Sequence, residues 1–160
     1  NLALPIGDNQ TISQPFVVAK MTQLLEIHQN HKILEIGTGS GYQSAILSNL
    51  CRRVYSIEKI KELHILSNEL FKELKISNIT TKLGDGSIGW EEISPFDGII
   101  VTCASKKFPQ DLLNQLKIGG KLIIPEENEI GNQVLNSYKV VEKEKIEKKY
   151  ICDVKFVPMV

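Results

Sequence analysis

The chain has 160 residues, of which 42% are apolar and 24% charged, a size and balance that suit one domain around one hydrophobic core. Lysine plus arginine equals aspartate plus glutamate at 19 each, so no net basic field exists to draw in nucleic acid or an anionic membrane surface. No apolar run is long enough to cross a bilayer, and no basic stretch precedes an apolar one at the start, as a secretory signal would require.

The opening NLALPIGDNQTIS has no initiator methionine and reads as the middle of a protein, so a preceding helical segment is expected. Pro15 begins a helix with apolar residues at Val18, Met21, Leu24 and Leu25, and its missing N–H costs nothing in a first turn. Lys32 to Ile36 (KILEI) is a short buried strand, followed by a glycine-rich turn and the helix YQSAILSNL. Arg53 to Glu58 is a second strand, KELHILSNELFKEL an amphipathic helix, and ITTKL a third strand ending near Leu83. Asp97 to Thr102 is a fourth strand and PQDLLNQL a short helix. A fifth strand, KLIIP, is expected after a turn at Gly119 and Gly120. The tail reads as two longer strands joined by a solvated loop of alternating charge from Lys139 to Lys149.

Repeated strand–helix–strand units predict parallel pairing with right-handed crossovers. The predicted fold class is therefore α/β: one domain over 1–160 with a doubly wound, mostly parallel sheet and antiparallel strands at its C-terminal edge. Such sheets bind ligands beyond the carboxyl ends of their strands, near the point where strand order reverses.

The turn after the first of these strands, LEIGTGSGY, can approach a ligand closely through Gly37, Gly39 and Gly41. Alone it is also compatible with a bare strand-to-helix turn. Its G-x-G-x-G spacing is neither the G-x-G-x-x-G of dinucleotide proteins nor a P-loop, since no lysine follows. Glu35 stands just before the turn, and the turn holds no lysine or arginine. A pyrophosphate would be repelled there, whereas S-adenosylmethionine carries an ammonium and a sulfonium and no phosphate. Glu58, ending the second strand, can accept hydrogen bonds from both ribose hydroxyls of an adenosine, a feature that NAD enzymes share. Asp85 and Gly86 close the third strand. There they can receive the adenine amino group and its ring, or form an ordinary Asp-Gly turn.

The blocks LPIGDNQTISQPFVVAKM, ILEIGTGSGYQSAIL, VYSIE, GDGSIGW, PFDGIIVTCA, QLKIGGKLIIP and FVPM occur in the order seen in protein-L-isoaspartate O-methyltransferases. The chain resembles that family from Leu4 to Met159, most specifically in QTISQP, which generic methyltransferases of this Rossmann-like fold lack. The resemblance implies a cytoplasmic, monomeric enzyme that uses S-adenosylmethionine, releases S-adenosylhomocysteine and holds no metal. It implies methylation of the free α-carboxylate of L-isoaspartyl residues in damaged proteins and peptides. It makes Ser13 the active-site residue, and Gln10, Thr11 and Ile12 part of a segment folded over the cofactor. Glu35, Gly37, Thr38, Gly39, Ser40 and Gly41 resemble the cofactor loop, Glu58 the ribose acid, and Asp85 with Gly86 the adenine contacts. Thr102, Cys103 and Ala104, together with Ser13, resemble the substrate side.

A carboxylic acid of the substrate's kind ordinarily titrates at a pH of about 4, so it is ionised near neutrality and needs no general base. Ser13 therefore reads as a hydroxyl that positions the carboxylate, or as the cap of the helix at Pro15, and both roles are compatible. Asn9 replaces the family's usual glycine, and VTCA replaces the commoner VTAA, which puts the Cys103 thiol near the site. That thiol is either reactive or simply a small strand-end residue. Cys51, Cys103 and Cys152 are widely spaced and fit reduced thiols better than a disulfide framework or a zinc site. His28, His31 and His64 lack metal spacing and read as surface residues, and Trp90 and Tyr42 as packing under the loops. The competing readings are a methyltransferase of the same fold with another substrate and a truncated, non-catalytic paralogue.

Overall fold

The computed structural model describes residues 4–7, 10–12, 14–143 and 145–159, with side chains described from residue 14 onward. A short antiparallel ribbon, β1 (Leu4–Gly7) and β2 (Gln10–Ile12), precedes α1 (Pro15–Leu24). The main sheet then follows as β3 (Lys32–Ile36), β4 (Arg53–Glu58), β5 (Ile79–Leu83), β6 (Phe96–Val101), β7 (Leu116–Glu127), β8 (Gln133–Glu142) and β9 (Lys145–Val154). The helices between them are α2 (Tyr42–Ser48), α3 (Lys61–Glu73) and α4 (Gln110–Asn114). Strand order is β5-β4-β3-β6-β7-β8-β9, parallel from β5 to β7 and antiparallel from β7 to β9. This is the predicted doubly wound sheet with its antiparallel edge.

The central position of β3 explains its composition. It pairs with β4 on one side and β6 on the other, and Ile33 to Ile36 are all buried. Successive side chains alternate between the two faces. Ile33 joins Val54, Ile100, Met21 and Leu47 under α1 and α2, while Leu34 and Ile36 join Ile57, Ile99 and Leu112 on the α4 side. A strand covered by helices on both faces must be apolar throughout, and Glu35 is the exception. The chain winds outward from β3 through β4 to β5, then returns to β6 on the other side of β3. The strand order therefore reverses beside β3, and its carboxyl end faces the resulting crevice.

Two expectations need correction. The strand expected to start after Gly119 and Gly120 starts at Leu116. Pairing with β6 jumps from Phe96↔Leu116 to Gly98↔Lys121, so the glycines lie in an irregularity inside β7. Gly119 adopts φ +85°, and a Cβ at Gly120 would lie 2.9 Å from the Lys117 carbonyl, so the bulge demands both glycines. The charged stretch from Lys139 to Lys149 is mostly paired strand, with Lys139 opposite Glu147 and Glu142 opposite Lys145. Its alternation belongs to a pleat: Tyr138 and Val140 face the core between outward charges. β9 forms the edge of the sheet, and its lysines discourage pairing with another chain.

Candidate functional site

The cleft at the carboxyl ends of β3, β4 and β6 is walled by Ile36 to Ser40, Ile57 to Ile60, Gly86, and Thr102 with Cys103. Its first wall is the glycine turn. Gly37 has φ +92°, and a Cβ there would meet the Thr102 hydroxyl at 2.5 Å. Gly41 has φ +83° where α2 begins, with the Phe71 ring 2.7 Å from any added Cβ. Only glycine satisfies both the left-handed backbone and the close contact. The turn is tied to its neighbours by Gly37 N–H donating to the Ile57 carbonyl at 2.9 Å. The Thr102 hydroxyl donates to the carbonyls of Gly37 at 2.7 Å and Ile36 at 3.0 Å.

Glu58 is buried, 5% exposed, at the end of β4. Its Oε2 accepts from the Gly39 N–H at 2.8 Å and its Oε1 from the Ile60 N–H at 2.9 Å. One carboxylate thus joins the glycine turn to the start of α3. Each oxygen has a second lone-pair direction, and Glu58 lines the cleft, so it can still accept from a ligand's hydroxyls. Gly86 is buried opposite, where a Cβ would run into the Ile36 side chain, so only glycine lets this stretch of backbone pack against Ile36 at the wall of the cleft. Lys59 also lines the cleft, but it pairs with Asp85 at 3.4 Å. An acid facing inward and a cation engaged by a neighbouring acid fit an adenosine with a positively charged tail better than a pyrophosphate.

The structure brings Gly37, Thr38, Gly39, Ser40, Glu58, Gly86, Thr102 and Cys103 to this cleft. Gly41 lies just behind, at the start of α2. Gln10, Thr11 and Ile12 form β2, their side chains lie outside the described residues, and so does Ser13. Other expected residues sit differently. Asp85 is exposed. Its carboxylate accepts the Ser87 N–H at 2.9 Å, which together with Lys59 holds it below the usual carboxylate range. Ala104 is buried and pairs with the tail, its N–H donating to the Val157 carbonyl and its own carbonyl accepting from Met159 N–H, both at 2.8 Å. Thr102 gives its hydroxyl hydrogen to the glycine turn and so braces that turn. Burial, then the charge on Glu58, push the Cys103 thiol up to about 12, which makes it a poor nucleophile.

Glu35 does not line the cleft. It has no exposed surface and points toward α2, its Oε2 accepting from the Ser44 hydroxyl and, at 2.7 Å, from the Ser56 hydroxyl. Burial pushes its carboxyl up to about 7 against the help of these two hydroxyls, and the nearby Glu58 charge adds to the rise. The acid that shapes the cleft's charge is Glu58. Sequence reasoning assigns no roles to Ile60, Leu63 or the tail from Val157 to Met159, which line the cleft together with Tyr42. Tyr42 is 41% exposed there and not a buried packing residue. His64 is partly buried, and its Nδ1 has no partner among the described residues.

The whole chain, residues 1–160, matches the family model described as Protein-L-isoaspartate(D-aspartate) O-methyltransferase (PCMT). A protein-L-isoaspartate O-methyltransferase of Vibrio atlanticus is 50% identical over 161 residues, covering 100% of this chain and 76% of its own length. One from Syntrophotalea carbinolica is 48% identical over 98% of this chain and 72% of its own length. Among solved structures, a protein-L-isoaspartate O-methyltransferase superposes with a TM-score of 0.89 at 27% identity over 98% of this chain, which spans 51% of that one. A Plasmodium falciparum protein described as a beta-aspartate methyltransferase, solved with S-adenosyl-L-homocysteine, gives 0.84 at 27% identity, over 99% of this chain and 79% of its own.

Because the folded chain holds the Glu35 proton more tightly than an unfolded chain does, stability is expected to fall as pH rises from 4.5 to about 7, and then to level off. Glu35→Gln removes this contribution. In thermal denaturation the variant should gain on the wild type across that window, by at most about 3 kcal/mol. A stability difference that stays constant from pH 4.5 to 7.5 would show that Glu35 does not titrate there.

Proposed function

The chain belongs to the protein-L-isoaspartate(D-aspartate) O-methyltransferase family, and from that premise we propose that it methylates the free α-carboxylate of L-isoaspartyl residues in damaged proteins and peptides, the first step of their repair. The observation that carries the reading is the convergence of the glycine turn, Glu58 and Gly86 on one cleft at the switch point of the sheet. Glu58 would hold the ribose and Gly86 the adenine face, with the Gly37–Gly41 turn against the amino-acid tail. Bound there, S-adenosylmethionine supplies a methyl group activated by a positively charged sulfur.

The residues of the chain supply placement. The substrate carboxylate is ionised at neutrality, so alignment and exclusion of water make up most of the catalytic task. Thr102 fixes the glycine turn, and Cys103 forms part of the wall beside it. A second groove, lined by Phe16, Lys20, Leu135 and Phe156, meets the cleft at Thr102 and Val157. Its mixed apolar and charged lining suits an extended polypeptide. QTISQP leads into α1, which forms part of that groove, so Ser13 is the residue we assign to orient the carboxylate. The cytoplasm is the compartment this reading implies, in keeping with Cys51, Cys103 and Cys152 all being free.

The test is transfer of labelled methyl groups to paired peptides identical except for one L-isoaspartate or aspartate. Transfer to the isoaspartyl peptide alone is expected. Equal transfer to both, or to neither with cofactor bound, would reject the substrate assignment. Ser13→Ala should slow that transfer about ten- to a hundred-fold, the worth of one hydrogen bond to a charged group, with cofactor affinity little changed. The cap position of α1 falls on Gln14 and not on Ser13 as expected, so an unchanged rate per folded molecule, alongside a lower melting temperature, would leave Ser13 only a structural role ahead of the helix.

A further inference from the structure

Glu35 lies wholly inside the protein, yet its Oε1 has no hydrogen-bond donor among the described residues. Its Oε2 carries both contacts, from Ser44 and Ser56. Ser56 continues outward, its Oγ lying 2.6 Å from the hydroxyl oxygen of Thr38 in the glycine turn. Thr38 in turn lines the cleft. A line of hydroxyls therefore runs from a buried carboxyl to the wall of the site.

Each hydroxyl owns a single hydrogen, so the direction of the line depends on its inner end. With Glu35 ionised, Ser56 donates to Glu35, Thr38 donates to Ser56, and Thr38 has only lone pairs left for the cleft. With a proton on its Oε2, Glu35 still accepts from Ser44 but can donate to Ser56, and Ser56 to Thr38, which frees the Thr38 hydrogen. We propose that the protonation of Glu35 sets, through Ser56, whether Thr38 offers the cleft a hydrogen-bond acceptor or a donor, and so couples cofactor binding to pH. The proposal rests on the reading of the cleft as an S-adenosylmethionine site. Glu35 is a positioning residue in this scheme, since it touches neither cofactor nor substrate.

The groups around Glu35 leave little else to titrate. Ser44 from α2 and Ser56 from β4 are neutral, β6 sets Ile100 alongside, and α1 contributes apolar Met21 and Leu25 to that face. The charged group that acts on it is Glu58, at the end of β4. Burial brings the Glu35 carboxyl up to about 7, so both forms exist near neutrality. The acid facing the cleft favours a cationic ligand group, and an ammonium needs acceptors. The ionised form of Glu35 is therefore the one that matches the cofactor's amino group.

Calorimetric titration of S-adenosylhomocysteine between pH 6 and 8 tests the relay. Wild-type affinity should rise on the order of ten-fold across this range, the value of one hydrogen bond to a charged group. In Glu35→Gln and in Ser56→Ala the rise should vanish, and these variants also correct for titration of the ligand itself. Reciprocity supplies a check on the unaltered protein: bound S-adenosylhomocysteine must lower the Glu35 pKa by about one unit, read by carbon NMR of labelled glutamate. Binding whose pH dependence survives both substitutions, or a Glu35 pKa indifferent to the ligand, would overturn the relay and leave the cofactor assignment standing. Absence of binding at every pH would overturn both.

Discussion

Glu58 bonds backbone N–H groups on two different segments, Gly39 in the glycine turn and Ile60 at the start of α3. Those N–H groups belong to chain that leaves the sheet, where no strand partner can satisfy them. Satisfying them with a single carboxylate fixes the turn against the next crossover and leaves an acidic edge pointing into the space between. The remaining features follow from that placement. The turn must be left-handed at Gly37 and Gly41 to bring Gly39 within reach, Thr102 must brace it from just past β6, and Gly86 must lack a side chain to pack against Ile36.

The same economy appears one strand inward. A carboxyl at the centre of a sheet covered on both faces costs free energy unless it is neutral or fully paired. Glu35 receives two hydroxyl hydrogens on one oxygen and none on the other, among the described residues. That arrangement is tolerable for a carboxyl balanced near neutrality and poor for a permanent charge. A leucine would be apolar beside Ile100 but would take the carboxylate acceptor from Ser44 and leave Ser56 only Thr38 to donate to.

Much of this is legible in the sequence because the strands are short, apolar and bounded by turns. Arg53 to Glu58 and Lys32 to Ile36 read directly as strands, and the three alternate glycines mark the turn between β3 and α2. The place of Glu58 is legible as well, since it closes a strand that the sequence marks directly and so stands at the carboxyl end of the sheet. Glu35 departs from its expected place because its carboxyl turns to the hydroxyls of Ser44 in α2 and Ser56 in β4, which hold it away from the cleft. Asp85 has the type and position expected for an adenine contact, and its local partners Ser87 and Lys59 hold it exposed beside Gly86. The closing of Val157 to Met159 against Ala104 is a contact across more than fifty positions, and no local pattern announces it.

The central claim is that Glu58 both builds the turn and holds the ligand's ribose. Calorimetry of S-adenosylhomocysteine binding to Glu58→Ala and Glu58→Asp, with melting temperatures recorded alongside, measures the two roles separately. The alanine variant should lose about 1.5–3 kcal/mol of binding for each charged hydrogen bond to the ribose, and the aspartate variant should recover part of it while both remain folded. Unchanged affinity in a folded Glu58→Ala protein would contradict the account, because the adenosine would then lie elsewhere.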